Sequence, residues 1–391
     1  MRETNNEYIF RLEGRIDSSN TSELNQAIRD ALQDAGEEEL VLDASDLNYI
    51  SSAGLRLLLN LLKEIGHSLE IRNVSPEIYE IMDMTGFTEM FQVKKRIREV
   101  SVENCEIIGK GYYGTVYRLD PDTIVKVYRT PDSIPQIENE RKMAKLAFVK
   151  GIPTAISYDM VKVGDSYGSV FELLKAKTLN DLLIEDPENA DQLIDEFVDV
   201  LKSVHAAELD AGSVPSAKSA WLDYLDADRE RGYVTDAQYD RLKELISAIP
   251  EHHNAIHGDF HMKNVMLVDG EPMLIDMDTL TEGDPVFDLQ GVYMSYIEFS
   301  EDEPDNCMKF FGIDGKTGEL IWQRTLESYF GTQDAEVLAG ITDKVRLVAA
   351  IRFLSYFDLA KEDDPLTVQR IHHTQENIAE LLERVDSLAL A

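Results

Sequence analysis

At 391 residues the chain is longer than one ordinary hydrophobic core supports, and a prior of about 150 residues per domain divides it into two or three. Its 74 acidic against 38 basic residues give a formal net charge of −36, which argues against broad electrostatic attraction to nucleic acid or to an anionic membrane. The two cysteines, Cys105 and Cys307, cannot build a disulfide framework or a CxxC metal site, no run of about 18 apolar residues occurs, and the first residues lack a signal-peptide pattern, so a cytoplasmic protein is expected.

The first predicted element is a strand: in "YIFRLEGR", Phe10 and Leu12 interleave with Arg11 and Glu13 at the period of a half-buried strand. A helix is predicted next. Asn20 with Glu23 forms a capping-box pattern, Leu24, Ala27, Ile28 and Leu32 share one face, and Gly36 sits where a carboxy-terminal cap belongs. A strand around Leu40 to Leu42 follows, then "DLNYISSAGLRLLL", where two serines precede a helix whose buried face is expected at Leu55, Leu58, Leu59, Leu62 and Ile65. A strand holding Leu69 and Ile71 and a helix opening at Pro76 complete the set. Such alternation in under about 100 residues implies one sheet with helices packed on it.

A serine before an apolar helix commonly caps it by accepting from the first free backbone N–H groups, and that role suits Ser51. "GRID", "LVLDASDLNYISSAGLRLLL" and "IRNVSPEIYEIMDMTGF" together resemble a STAS domain, the α/β anti-sigma-factor antagonist fold. The resemblance implies that Ser52 is a phosphoacceptor and that the domain docks an anti-sigma-type or other protein partner. Ser51 in place of the family's usual Asp, and Ala53, depart from its pattern. A phosphate on Ser52 would add roughly 1.5 to 2 negative charges at a helix amino terminus, where the dipole and free N–H groups tolerate anions.

"KKRIREVSVEN" is polar and aperiodic and marks a domain boundary. Beyond it, Gly109, Gly111 and Gly114 stand in GxGxxG spacing, but "TVYRLD", a turn at Asp120 to Asp122, and "TIVKVYR" read as strands where a dinucleotide-binding fold requires a helix. A glycine-rich hairpin, with Val116 on its second strand, followed by a strand bearing Lys126 is the layout that covers ATP phosphates and pairs them with a lysine. The next helix, "SIPQIENERKMAKLAFVKG", offers Glu140 to hold that lysine, with Glu138 as the alternative. "MVKVGDSYGSVFELL" gives two strands about a Gly-Asp turn, leading to Glu172 and Leu174, where a connector would offer backbone groups to adenine.

The densest signal is "AIHGDFHMKNVMLVDGEPMLIDMDTL". "NVMLV" and "EPMLI" are short strands joined by Asp269-Gly270, the signature of a type I′ hairpin, and folding it places Asn264 and Asp276 at one open end. Two oxygen ligands converge there, as a hard cation such as Mg²⁺ bridging phosphates requires. Asp259 is then positioned to orient an attacking hydroxyl and accept its proton. His257 is expected to brace the loop, and His261 stands where many protein kinases carry a lysine.

"HGDFHMKN", "LIDMDTL" and "GDPVFDL", with the glycine loop, Lys126 and Glu140, resemble the aminoglycoside phosphotransferase and choline kinase branch of the protein-kinase-like superfamily. The resemblance implies a bilobal α+β fold with a helical carboxy-terminal lobe. It implies an ATP site at Gly109, Gly111, Gly114 and Lys126, a catalytic base at Asp259 and metal ligands at Asn264 and Asp276. Asp278 and Asp288 match family acidic positions that brace loops or contact substrate. Domains are expected at residues 1–97 (STAS), 98–174 (amino-terminal lobe and hinge) and 175–391 (carboxy-terminal lobe). Trp221, Tyr224, Tyr293, Tyr296 and Trp322 either wall a site for a cationic acceptor or fill the core.

Three functions follow: an ATP- and Mg²⁺-dependent phosphotransferase acting on a hydroxyl of an aminoglycoside-, choline- or sugar-like molecule, with a regulatory STAS domain; a protein kinase acting on a STAS serine, Ser52 in cis or in trans; or a nucleotide-sensing pseudokinase. Intact Lys126, Asp259, Asn264 and Asp276 argue against the last.

Overall fold

The strands Glu7–Ile16 (β1) and Glu39–Ile50 (β2) carry enough apolar side chains to pair in parallel and bury their shared sheet face, with Leu12, Leu42 and Ala44 fully inside. The computed structural model describes residues 7–36, 38–66, 69–111, 114–358 and 364–390. Two units separate: Met1–Ser101 with Met160–Gly164, and Val102–Asp159 with Asp165–Ala391.

In the first unit, Glu70–Val74 (β3) and Gln92–Lys95 (β4) extend the sheet in the order β1-β2-β3-β4, every pair parallel. Parallel neighbours need crossovers, and Thr21–Ala35 (α1), Ser52–Ile65 (α2) and Pro76–Met84 (α3) supply them. The capping box expected at Asn20 does not form. Its side chain instead accepts from the Asp17 N–H at 2.9 Å and donates to the Arg15 carbonyl at 2.6 Å, tying the turn rather than the helix.

Helix α2 is capped by Ser51, whose Oγ accepts from the N–H groups of Ala53 (3.2 Å) and Gly54 (3.3 Å). Its buried face is rotated from the expected one. Leu57 and Leu61 are buried together with Leu55 and Leu58, while Leu59, Leu62 and Ile65 are only partly covered. Helix α2 lies against both α1 and β2, and Gly54 packs on Ile16 and Ile50 at the ends of β1 and β2, so the side carrying residues 54, 57 and 61 is covered as well.

In the second unit, Ile107–Lys110 (β5), Gly114–Arg118 (β6), Thr123–Tyr128 (β7) and Ser166–Glu172 (β8) run antiparallel in the order β8-β7-β6-β5. Helix Ile134–Val149 (α4) turns Ile137, Glu140, Met143, Ala144 and Ala147 inward. The rest is mainly helical: Ala190–Ala206 (α5), Ala217–Glu230 (α6), Val286–Tyr293 (α7), Ala335–Ser355 (α8) and Pro365–Leu381 (α9) surround a core that includes Phe197, Phe260, Phe287 and Phe353. Between α6 and α7, the hairpin of Val265–Val268 (β9) and Glu271–Leu274 (β10) sets Val265 opposite Leu274. Its turn has positive φ at both Asp269 (53°) and Gly270 (86°), as a type I′ turn requires. Among the described residues no helix is long and apolar enough to cross a membrane.

Candidate active site

Strand β7 points Lys126 into the space beneath the glycine-rich hairpin, and α4 meets it with a carboxylate. Lys126 Nζ lies 3.1 Å from Glu140 Oε1 and also donates to the carboxylate of Asp276, 150 residues further along the chain. The Tyr128 hydroxyl donates to the second oxygen of Glu140. Glu140 is 4% exposed, whereas Glu138, the alternative partner, points to solvent. Burial works against the Lys126 charge, but Asp276 and Glu140 outweigh it and hold the ammonium above the usual lysine range. Burial pushes the Glu140 carboxyl up, against the pull of the ammonium.

The hairpin of β9 and β10 brings the second group together, because the Ile275 N–H donates to the Asn264 carbonyl at 3.1 Å and closes its open end. Asn264 is 5% exposed and its Nδ2 donates to the Asp259 carbonyl at 2.9 Å, which fixes the amide. Asp276 adopts a left-handed backbone (φ 58°, ψ 59°), a conformation that L side chains other than Asn and Asp rarely take and that turns its carboxylate toward Lys126. Asp259 remains about half exposed, with His261 Nε2 3.8 Å from its Oδ2. Burial lowers the His261 imidazole, so this ring is neutral near pH 7 and does not supply the cation that a lysine would.

A frame of buried groups fixes the Asp259 loop. Asp288, fully buried, accepts from the N–H groups of His257 (2.8 Å) and Gly258 (2.6 Å) and lies 3.0 Å from His205 Nε2. Burial alone would raise its carboxyl, but hydrogen bonds and the neighbouring imidazoles bring it below the usual range. The His257 ring uses both nitrogens, Nε2 toward the Ile275 carbonyl and Nδ1 toward the Asp259 N–H, so it braces the loop as expected. Gly258 sits at φ +85°, and a Cβ there would come within 2.6 Å of the Thr279 carbonyl oxygen.

Two braces were not legible in the sequence. Arg352, on α8, donates through Nη1 to the Gly258 carbonyl at 2.7 Å, and the Tyr296 hydroxyl accepts from the Met262 N–H at 3.0 Å. Neither belongs to a short motif, and only the folded chain places them beside the loop.

A cleft of roughly 510 Å³ is lined by Gly109, Gly111, Gly114, Val116, Lys126, Glu140, Glu172, Leu174 and Asp276 from the expected set, with Ile124, Met266 and Ile275 adding apolar surface. Arg141 and Lys263 also line it; Asp259 and Asn264 are not among its lining residues. Gly114 has a further reason to be glycine: a Cβ there would stand 2.2 Å from the Val127 carbonyl oxygen on the paired strand. The aromatic residues considered for an acceptor wall are mostly core. Trp221, Tyr293, Tyr296 and Trp322 are buried, Tyr224 packs partly covered against them, and Trp221 Nε1 donates to the Val348 carbonyl.

Residues 104–316, more than half of the chain, match the sequence profile of the phosphotransferase enzyme family. The chain belongs to that family. Residues 1–100 match the STAS domain, which makes this phosphotransferase a STAS fusion. Its amino-terminal part is 35% identical over 85 residues to a putative anti-sigma factor antagonist, BtrV, of Bordetella bronchiseptica, covering 21% of this chain and 72% of that one. It is 25% identical over 88 residues to an anti-sigma F factor antagonist of Paenibacillus polymyxa, covering 22% and 75%. Among solved structures, a thermostable mutant of aminoglycoside phosphotransferase APH(4)-Ia in ternary complex with ADP and hygromycin B shares the fold. Its TM-score is 0.50 at 14% identity, covering 72% of this chain and 93% of that one.

Proposed function

We propose that the protein transfers the γ-phosphoryl group of ATP, with Mg²⁺, to a hydroxyl of a small molecule of aminoglycoside, choline or sugar type, and that its STAS domain regulates or docks that activity. The observation that carries this reading is the meeting of Lys126, Glu140 and Asp276 in one cleft beneath the glycine-rich hairpin. The ADP held by the APH(4)-Ia neighbour supports an adenine nucleotide there.

The donor set fits a hard divalent ion. Asn264 and Asp276 offer oxygen, and the described residues hold no group of three His, Cys, Asp or Glu side chains able to hold a metal, so phosphate oxygens would complete the shell. When bound, the ion neutralises charge on the phosphates. Lys126, anchored by Glu140, directs its ammonium at the same phosphates. Asp259 orients the acceptor hydroxyl and takes its proton as the oxygen bonds to the γ-phosphorus and ADP leaves. The frame of Asp288, His257 and Arg352 holds that carboxylate in place.

A second reading is favoured by one specific observation. Ser51 occupies the cap of α2, so the Ser52 hydroxyl, exposed at the same helix end, is left without a hydrogen bond among the described residues. It is available as an acceptor for this kinase or another. Incubating the purified protein with labelled ATP and Mg²⁺, then mapping phosphate by mass spectrometry and assaying a hydroxyl-compound panel, separates the two. Label on Ser52 that disappears in Asp259→Asn supports the protein-kinase reading; turnover of a small molecule with Ser52 unlabelled supports the first. Asp259→Asn is expected to lower either rate by about 10² to 10⁴-fold while leaving nucleotide binding intact. Full activity in that variant refutes the assignment of the base.

A further inference from the structure

We propose that Arg352 is a specificity-determining residue and that the acceptor it selects carries an anionic group, a carboxylate or a phosphate, beside the hydroxyl that is phosphorylated. This rests on the phosphotransferase reading of the cleft and narrows its acceptor to the sugar-type alternative, in an acid or phosphorylated form, against the aminoglycoside and choline ones. With nucleotide in that cleft, an acceptor reaches Asp259 from outside it, and Arg352 stands beside Asp259 without being part of the cleft's lining.

The guanidinium is held there. Nη1 donates to the Gly258 carbonyl at 2.7 Å, one residue before Asp259. Its carbon lies 5.7 Å from the Trp221 ring and 5.9 Å from the Tyr356 ring, so two aromatic side chains flank it. Trp221 is itself fixed, because its indole N–H donates to Val348, one turn earlier on the helix that carries Arg352. The Gly258 carbonyl and the Tyr356 hydroxyl take two of the five guanidinium donors, which leaves three for other partners. Arg352 feels the charge of Asp259 and lies beside the Tyr356 hydroxyl, and Tyr356 is half exposed, so the pair has an open side.

The cationic-acceptor alternative needs free carboxylates near the same place. Phe299 lies near Tyr356, with ring centroids 6.4 Å apart, and introduces an acidic run among the described residues, Glu301 to Glu303. That run is already engaged: Glu301 by the Tyr293 hydroxyl and Arg346, Asp302 by His373 and Gln369, and Glu303 by Arg370 and Lys309. Arg352 thus sets a fixed, planar cation beside Asp259, suited to bidentate contact with a carboxylate or phosphate.

The test uses the full chain with Mg²⁺ and a non-hydrolysable ATP analogue. Nucleotide binding is measured first by calorimetry, then binding of gluconate, glycerate and glucose 6-phosphate against kanamycin and choline. The wild type is expected to prefer at least one anionic probe to both cations. Arg352→Gln should weaken that probe about 10- to 100-fold with nucleotide affinity retained, and Arg352→Lys should restore part of it. Tighter binding of kanamycin or choline than of every anionic probe, no anionic binding at all, or an unchanged anion affinity in Arg352→Gln would overturn the proposal. Loss of nucleotide binding in the wild type itself would instead refute the phosphotransferase reading.

Discussion

Replacing Asp288 by asparagine tests the claim that the catalytic loop is held by one buried carboxylate. The substitution keeps the shape and removes the charge. Three donors converge on two oxygens: the His257 and Gly258 N–H groups at 2.8 and 2.6 Å and His205 Nε2 at 3.0 Å. An asparagine offers one oxygen and turns an NH₂ toward donors, so at least one buried N–H loses its partner. A charge-assisted bond contributes about 1.5 to 3 kcal/mol and a buried unpaired donor costs about 1 to 3 kcal/mol. With full burial at this site, the expected loss is roughly 3 to 5 kcal/mol. For a unit of this size, at about 2 to 4 °C per kcal/mol, the melting point should fall by roughly 10 °C. The transfer rate should fall by more than the unfolded fraction explains, because a displacement of about 1 Å at Asp259 costs on the order of 100-fold. The sign with pH follows from the lowered carboxyl. Its stabilisation is fully present above the unfolded-state value near 3.9 and is lost as pH falls through the lower folded value, so the wild type and variant should converge only in strong acid. Circular dichroism melts between pH 3 and 8, paired with single-turnover rates, provide the measurement. A variant that melts within about 2 °C of the wild type and transfers at an undiminished rate would refute the reasoning.

Three further outcomes are expected. Ser51→Ala should destabilise the STAS domain by about 1 kcal/mol, while Ser52→Ala should leave its denaturation midpoint unchanged yet remove any phosphate mapped to α2; the reverse pattern in chemical denaturation would reassign the two serines. Gly114→Ala should lower the melting point and nucleotide affinity together, because its Cβ would stand 2.2 Å from the Val127 carbonyl oxygen and the strands must separate; a variant with normal melting and normal binding contradicts this. Asp228 is fully buried, neither oxygen has a hydrogen-bond partner, and burial raises its carboxyl to about 8. Since its folded value lies above the unfolded one, stability is retained at low pH and lost as pH rises from about 4 toward 8; Asp228→Leu should therefore stabilise increasingly across that range, and a gain that shrinks with rising pH in melting curves would contradict it.

The first three strands and helices of the first unit and the hairpins of the second were legible because each local pattern agreed with the fold, whereas the strand Gln92–Lys95 and the helices between residues 179 and 247 were not read from the sequence. The Asp-Gly turn pinned the register that joins Asn264 to Asp276, and Lys126 with Glu140 stood out by their place on consecutive elements. What stayed hidden was tertiary. The inward face of α2 depends on α1 lying beside it, which the leucine spacing alone does not encode. Asn20 showed a capping-box sequence but found closer partners in the turn before it. Arg352 lies 94 residues from the carbonyl it binds, in a helix stretch of mostly small and apolar residues, and nothing in that neighbourhood marks it as a partner of the Asp259 loop.

The left-handed backbone at Asp276 bears on how such an enzyme would decay. At φ 58° the residues that fit with least strain are glycine, asparagine and aspartate. Selection for the shape of the loop alone would therefore admit all three, whereas selection for an anionic ligand admits only aspartate. A relative with glycine or asparagine at this position would keep its fold and its hairpin while losing its chemistry. On the proposed metal-ligand role of Asp276, that position tests for phosphoryl transfer more sharply than the glycine-rich loop does, where Gly114 is required by strand packing whether or not phosphate is ever transferred.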